Sequence, residues 1–106
     1  DFVRAWSFIY NNESNGVHPH ADPASINLNL WVTDNDSIID EKDKNGLNIW
    51  KLYPPDDWTW KQYNGKYAEK DKLIKNNSDK KISIPYKFNR IVIFDSKFFQ
   101  SSQPLL

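Results

Sequence analysis

The chain has 106 residues, of which 39% are hydrophobic and 15% aromatic, a size and composition that allow one hydrophobic core. Its 14 Lys and Arg residues balance 14 Asp and Glu residues, which excludes the strong positive field that holds nucleic acid or an anionic membrane. No apolar run approaches the roughly 18 residues that span a bilayer, and the absence of Cys excludes disulfides and thiolate metal sites. We expect one cytoplasmic domain over residues 1–106, incomplete at both ends, and the absence of an initiator Met favours a processed chain or a fragment.

Five segments contain the β-branched, aromatic and alternating residues that are typical of β-strands. In the clearest of them, residues 26–33, aliphatic side chains at 26, 28 and 30 alternate with Asn27 and Asn29. This alternation predicts a strand whose aliphatic face is buried. The five predicted strands are Phe2–Tyr10, Ile26–Thr33, Leu47–Tyr53, Lys81–Tyr86 and Arg90–Phe94.

The stretch 57–76 breaks this pattern, because its aromatic residues stand among charges without a period of two. Within it we predict a short helix over Ala68–Lys75, ended by two Asn residues. We interpret the stretch as an insertion that covers one face of a β-sandwich, and the lysines within 70–81 as a solvated helix face and loop. Short strands with one helical insertion predict an all-β domain of the double-stranded β-helix, or jelly-roll, type.

The two histidines lie close together, in the segment Val17–Asp22. Residues i and i+2 of an extended segment point to the same side, so His20 and Asp22 are suited to bind one metal ion. A loop His that pairs with a neighbouring Asp would give the same spacing. We interpret His18 as a solvent-exposed loop residue.

Three segments, in chain order, resemble the 2-oxoglutarate and Fe(II)-dependent oxygenases of the prolyl-hydroxylase-like branch. Tyr10 followed by His20-Ala-Asp22 is similar to the Tyr and His-x-Asp passage of that family. Asn45-Gly46-Leu47 is similar to the Gly-Gly-Leu with which a core strand begins. Residues 89–100, NRIVIFDSKFFQ, are similar to the segment Gly-Arg-Leu-Val-x-Phe-x-Ser-x-x-x-His. The three matches are colinear and cover nearly the whole chain.

The resemblance implies an enzyme that uses Fe(II) and 2-oxoglutarate to hydroxylate a substrate that the sequence does not identify. It implies that His20 and Asp22 are metal ligands, that Gln100 occupies the place of the third, and that Tyr10 faces the cosubstrate. We add Asn29 as a cosubstrate contact, because it faces away from the leucines beside it and toward the barrel interior.

Two departures from the family pattern concern the metal and the cosubstrate. Gln100 stands where the family has its second metal His, and an amide oxygen is a weaker ligand for Fe(II) than imidazole. The family's Arg, which pairs with the far carboxylate of 2-oxoglutarate, has no counterpart after Gln100. We therefore expect little or no hydroxylase activity from this chain.

Two other interpretations remain open. The chain fits a non-enzymatic jelly-roll binding module, in which Trp58, Trp60 and Tyr63 contact a sugar or a protein. An incomplete sheet also exposes an edge, and an exposed edge predicts a homo-oligomer. We expect no nucleic acid and no membrane among the partners.

Overall fold

The computed structural model describes residues 5, 17–34, 36 and 46–102, which are built mainly of antiparallel β-sheet with two short helices. Apart from residue 5, the strand predicted over Phe2–Tyr10 lies outside the described residues. The described strands are β1 (Ile26–Leu30), β2 (Leu47–Trp50), β3 (Lys81–Ile84), β4 (Ile91–Asp95) and β5 (Phe99–Ser102). The helices are α1 (Trp60–Asn64) and α2 (Ala68–Asn76), and a 3-10 turn follows at Ser78–Lys80.

The strands form two antiparallel sheets, one with the order β3-β2-β5 and one made of β1 and β4. The segment 17–20 runs along the other side of β5. His20 and Gln100 exchange both backbone hydrogen bonds, at 3.0 and 2.8 Å, and the Ser102 N–H donates to the Val17 carbonyl at 3.2 Å. β5 therefore lies between β2 and the segment that carries the histidines.

Gly46 allows β2 to approach β3 closely at the beginning of the strand. A Cβ at this position would lie 1.9 Å from the backbone oxygen of Ile84, the residue that pairs with Leu47. Any other residue would push the two strands apart at their first pair.

The two helices have local sequence signals at their ends. The Thr59 N–H at the start of α1 donates to Gln62 Oε1 at 2.6 Å, which satisfies a backbone donor that the helix leaves unpaired. The helix predicted from residue 68 to 75 is present as α2, one residue longer, and the Asn77 side chain donates to the Leu73 carbonyl at 2.8 Å at its end. Within the described ranges, no helix has the length and apolar character needed to cross a bilayer.

Two hydrophobic clusters form the core. The first lies between the helices and the β2–β5 part of the sheet, and the second joins the two sheets. The first consists of Ala21, Trp50, Ile74 and Phe99, with Leu52, Trp58, Tyr63 and Leu73 packed against it. The second consists of Leu47, Ile49 and Val92, with Trp31, Ile84, Phe94 and Phe98 packed against it. The stretch 57–76 thus covers one face of the three-stranded sheet.

The prediction that the aliphatic face of β1 is buried is wrong. Its three aliphatic residues are 68, 60 and 48% exposed, whereas Asn27 and Asn29 are half-buried. The asparagines face inward because Asn27 hydrogen-bonds with polar side chains beneath the sheet. The outward side of the two-stranded sheet, the aliphatic face, consists of Ile26, Leu28, Leu30, Ile91 and Ile93.

Candidate metal site

Backbone hydrogen bonds fix the segment His20–Asp22 to three different parts of the fold. His20 pairs with β5, as described above. The Ala21 N–H donates to the carbonyl of Tyr63 in α1 at 3.1 Å, and the Asp22 N–H donates to the carbonyl of Ser96, after β4, at 2.9 Å. Because three successive residues are held in this way, the side chains of His20 and Asp22 leave a backbone of defined position.

The His20 ring is oriented by a hydrogen bond to its own loop. Its Nδ1 lies 2.8 Å from the carbonyl oxygen of His18, and a carbonyl only accepts, so Nδ1 carries the proton. In the neutral ring, Nε2 then has a lone pair, and this atom lies 3.8 Å from Asp22 Oδ1. The two side chains are only 20% and 17% exposed. A fixed tautomer of this kind is typical of histidines that bind metals through Nε2.

The other oxygen of Asp22 is held by two side-chain amides. Asp22 Oδ2 accepts from Asn27 Nδ2 at 2.9 Å and from Gln100 Nε2 at 3.3 Å. Asn27 Nδ2 also donates to Gln100 Oε1 at 3.0 Å, and the Ser96 hydroxyl donates to Asn27 Oδ1 at 2.7 Å. These four residues form one network, the amide network, which leaves Oδ1 of Asp22 directed toward His20.

The structure brings three of the sequence-predicted site residues together, namely His20, Asp22 and Gln100. Asn29 is half-buried on the inward side of β1, opposite Val92, and takes no part in the amide network. Asn27, two residues earlier on the same strand, does belong to the amide network. It was not predicted, although it alternates with the same leucines. Tyr10, predicted to face the cosubstrate, lies outside the described residues. His18 is exposed, as predicted.

Two of the three predicted ligands lie close enough together to contact one divalent metal. The 3.8 Å between His20 Nε2 and Asp22 Oδ1 is less than two metal–ligand distances of about 2.1 Å each, so one ion can contact both atoms. Gln100 does not fit as the third ligand. Its oxygen accepts from Asn27 and its N–H group faces Asp22, so both ends of the amide take part in the amide network. Within residues 17–34 and 46–102, no three His, Asp or Glu side chains form a metal-binding group.

Comparison with known proteins found no matching family model, no matching curated protein and no matching solved structure.

Lys70 in α2 is buried, with 3% of its surface exposed, and supports the loop that precedes His20. Its Nζ donates to the Pro19 carbonyl at 2.7 Å and also to the Gly65 carbonyl. Burial lowers the pKa of Lys70, and the nearby charge of Asp71 opposes part of that shift. The interpretation of this lysine as part of a solvated helix face is therefore wrong. Its ammonium group donates to two backbone carbonyls in place of water.

A cavity of about 550 Å³ opens beside Asp22. Its walls are the segment 21–25, the loop 53–58, Tyr63 of α1 and the turn after β4. Of the three aromatic residues named for the binding-module interpretation, Trp58 and Tyr63 line the cavity, whereas Trp60 does not and is 55% exposed.

Proposed function

We propose that the chain is a jelly-roll domain of the 2-oxoglutarate and Fe(II)-dependent oxygenase type whose metal site is reduced to His20 and Asp22. The observation that carries this proposal is the approach of His20 Nε2 to Asp22 Oδ1 at 3.8 Å. Two atoms with lone pairs face each other across this gap, and the His18 carbonyl holds the ring proton on the opposite side. A divalent cation between the two atoms satisfies both, and imidazole with carboxylate is a ligand set that Fe(II) accepts.

The order of strand pairing supports the jelly-roll part of the proposal. The segment 17–20 pairs with β5, β1 pairs with β4, and β2 pairs with β3. In sequence, the β1–β4 pair lies within the pair formed by segment 17–20 and β5, and the β2–β3 pair lies within the β1–β4 pair. The β1–β4 pair belongs to a different sheet from the other two. Nested pairs that alternate between two sheets are expected when one long hairpin folds over into a jelly roll.

Gln100 supports the proposal of little or no hydroxylase activity. In the family that the chain resembles, Fe(II) held by two His and one carboxylate supplies the activation of dioxygen. Here Gln100 and Asn27 hydrogen-bond with Asp22 and orient its carboxylate. The position that supplies a third ligand in the family therefore positions the second ligand in this chain.

A metal titration tests the proposal. We expect Co(II), and Fe(II) under anaerobic conditions, to bind the chain weakly, and binding to be lost in His20→Ala and Asp22→Ala. The matched control is His18→Ala, because His18 contributes only its backbone carbonyl to the site. In Gln100→His, a side chain of similar reach supplies an imidazole, and metal affinity rises about ten-fold or more.

Two outcomes would contradict the proposal. The first is the absence of metal binding by both the natural chain and Gln100→His. The second is an equal loss of affinity in His18→Ala and His20→Ala. Formation of succinate from 2-oxoglutarate by the natural chain, above a metal-free control, would separately refute the low activity that we propose.

The cavity beside Asp22 favours a second candidate function, a non-enzymatic binding module. Trp58 and Tyr63 share this cavity, which gives a ligand a defined place near, but distinct from, the metal ligand His20. Loss of ligand binding in Trp58→Ala, with no effect of His20→Ala, would favour this candidate over the oxygenase-like site.

A further inference from the structure

The cavity beside Asp22 has the size of a small-molecule site. Its volume of about 550 Å³ falls within the range of roughly 300–1,000 Å³ that is usual for ligand pockets. It lies between the helical segment and the turn after β4, so that both aromatic and charged side chains face it.

The charges that line the cavity are predominantly negative. Among the described residues of the lining, Asp22, Asp56 and Asp95 contribute three carboxylates and Lys97 contributes one ammonium group. Asp95 accepts a hydrogen bond from the Tyr53 hydroxyl at 2.5 Å and another from the backbone N–H of Lys97 at 3.0 Å. These bonds lower the pKa of Asp95, the bond from Tyr53 more than the other, so this carboxylate is ionised at neutral pH. An excess of carboxylates over ammonium groups in the lining favours a cationic ligand over a dicarboxylate such as 2-oxoglutarate.

Two aromatic rings on the walls are held in place by neighbouring rings. Trp58 is half-buried and contacts Tyr67 edge to face, with 5.3 Å between ring centroids. Tyr53 stacks on Phe98 with 5.0 Å between ring centroids, and Tyr53 remains 53% exposed. Fixed aromatic faces next to carboxylates are the surroundings in which proteins bind ammonium and guanidinium groups.

We infer that this cavity binds a ligand with a guanidinium or primary ammonium group, which pairs with Asp56 and packs its alkyl part against Trp58. The inference deepens the binding-module candidate and does not depend on a metal at His20. Asp56 is exposed, so its carboxylate is accessible from solvent beside Trp58.

The first test compares a cation with a neutral molecule of the same shape. The probes are n-butylguanidinium and n-butylurea, added to the chain in the presence of a chelator while the indole N–H signal of Trp58 is followed by NMR. We expect n-butylguanidinium to shift this signal in a saturable way and n-butylurea to leave it unchanged. Equal shifts by the two probes would overturn the inference. The peptide acetyl-Gly-Arg-Gly-amide forms a further arm, and its tighter binding would identify a peptide rather than a free cation as the source of the group.

The second test uses neighbouring residues as matched variants. We expect n-butylguanidinium to bind about three-fold more weakly to Asp56→Asn, and about five-fold more weakly to Trp58→Leu. Asp57→Asn and Trp60→Leu are the controls, because both residues are exposed and lie outside the cavity. If a control variant weakens binding as much as its partner, the attraction is general surface charge and the inference fails. Because the chelator removes metal, this failure would leave the metal titration unaffected.

Discussion

The amide network around Asp22 makes Asn27 a residue whose truncation should cost more than its half-exposed position suggests. We consider Asn27→Ala, with Asn29→Ala as the matched control two residues along the same inward side of β1. Asn27 makes three side-chain hydrogen bonds, to Asp22, Gln100 and Ser96, whereas Asn29 belongs to no such network.

The structure allows the magnitude to be worked out. The bond to the Asp22 carboxylate contributes about 2 kcal/mol and each of the two bonds between neutral groups about 1 kcal/mol. Buried Gln100 and Ser96 lose a partner in the variant, while water enters at Asp22 and offsets part of the loss. We therefore expect Asn27→Ala to lower the free energy of unfolding by about 3 kcal/mol, and Asn29→Ala to lower it by less than about 1 kcal/mol.

Urea denaturation followed by tryptophan fluorescence measures both free energies of unfolding. The slope of the transition should be the same in the two variants, because neither changes the surface exposed on unfolding. A second measurement is Co(II) affinity, which should fall in Asn27→Ala because the Asp22 carboxylate loses the closer of the two amides that hold it. Equal destabilisation by the two substitutions would refute the reasoning, since the amide network would then contribute nothing beyond its surroundings.

Three further predictions concern the core, the buried lysine and the pH dependence. Phe99→Ala, at a position with no exposed surface, should lower the free energy of unfolding by about 3–5 kcal/mol. Lys70→Met should lower it by about 2 kcal/mol because two backbone carbonyls lose their donor, while exposed Lys72→Met should not; equal effects would contradict this role. The Tyr53 hydrogen bond lowers the pKa of Asp95 in the folded state. Its contribution to stability is therefore fully present above the unfolded carboxyl pKa of about 4, and it is lost as the pH falls through the lower pKa of the folded state. NMR titration of Tyr53→Phe should show the Asp95 pKa rising, and an unchanged pKa would contradict the assignment.

Hydrophobic alternation located most of the described strands but not β5. β1 and β2 begin at the predicted residues, and β3 does too, because their β-branched and aromatic residues stand out from the turns around them. β5 contains Gln100 and two serines, a composition that favours a loop. It is a buried strand because it lies between β2 and the segment 17–20, so that neighbouring backbones satisfy its polar groups. These hydrogen-bond partners are distant in sequence, so no local sequence pattern predicts the strand.

The part of the candidate site that belongs to recognisable sequence motifs was predicted. The spacing of His20 and Asp22 and the resemblance around Gln100 named the three residues that the structure brings together. Asn27 was missed because its strand was interpreted through its aliphatic residues, which proved to be the exposed ones. Lys70 was missed for a similar reason, since a lysine on a charged helix is normally solvated and only tertiary packing decides otherwise.

The backbone pair between His20 and Gln100 also bears on how residue 100 can vary in evolution. The two residues are joined by main-chain atoms, so the position of residue 100 does not depend on the side chain that it carries. Glutamine and histidine codons differ only in their third base, and the exchange keeps a polar side chain of comparable length. A single nucleotide change therefore separates glutamine from histidine at this position, and the main chain holds the position through its own hydrogen bonds.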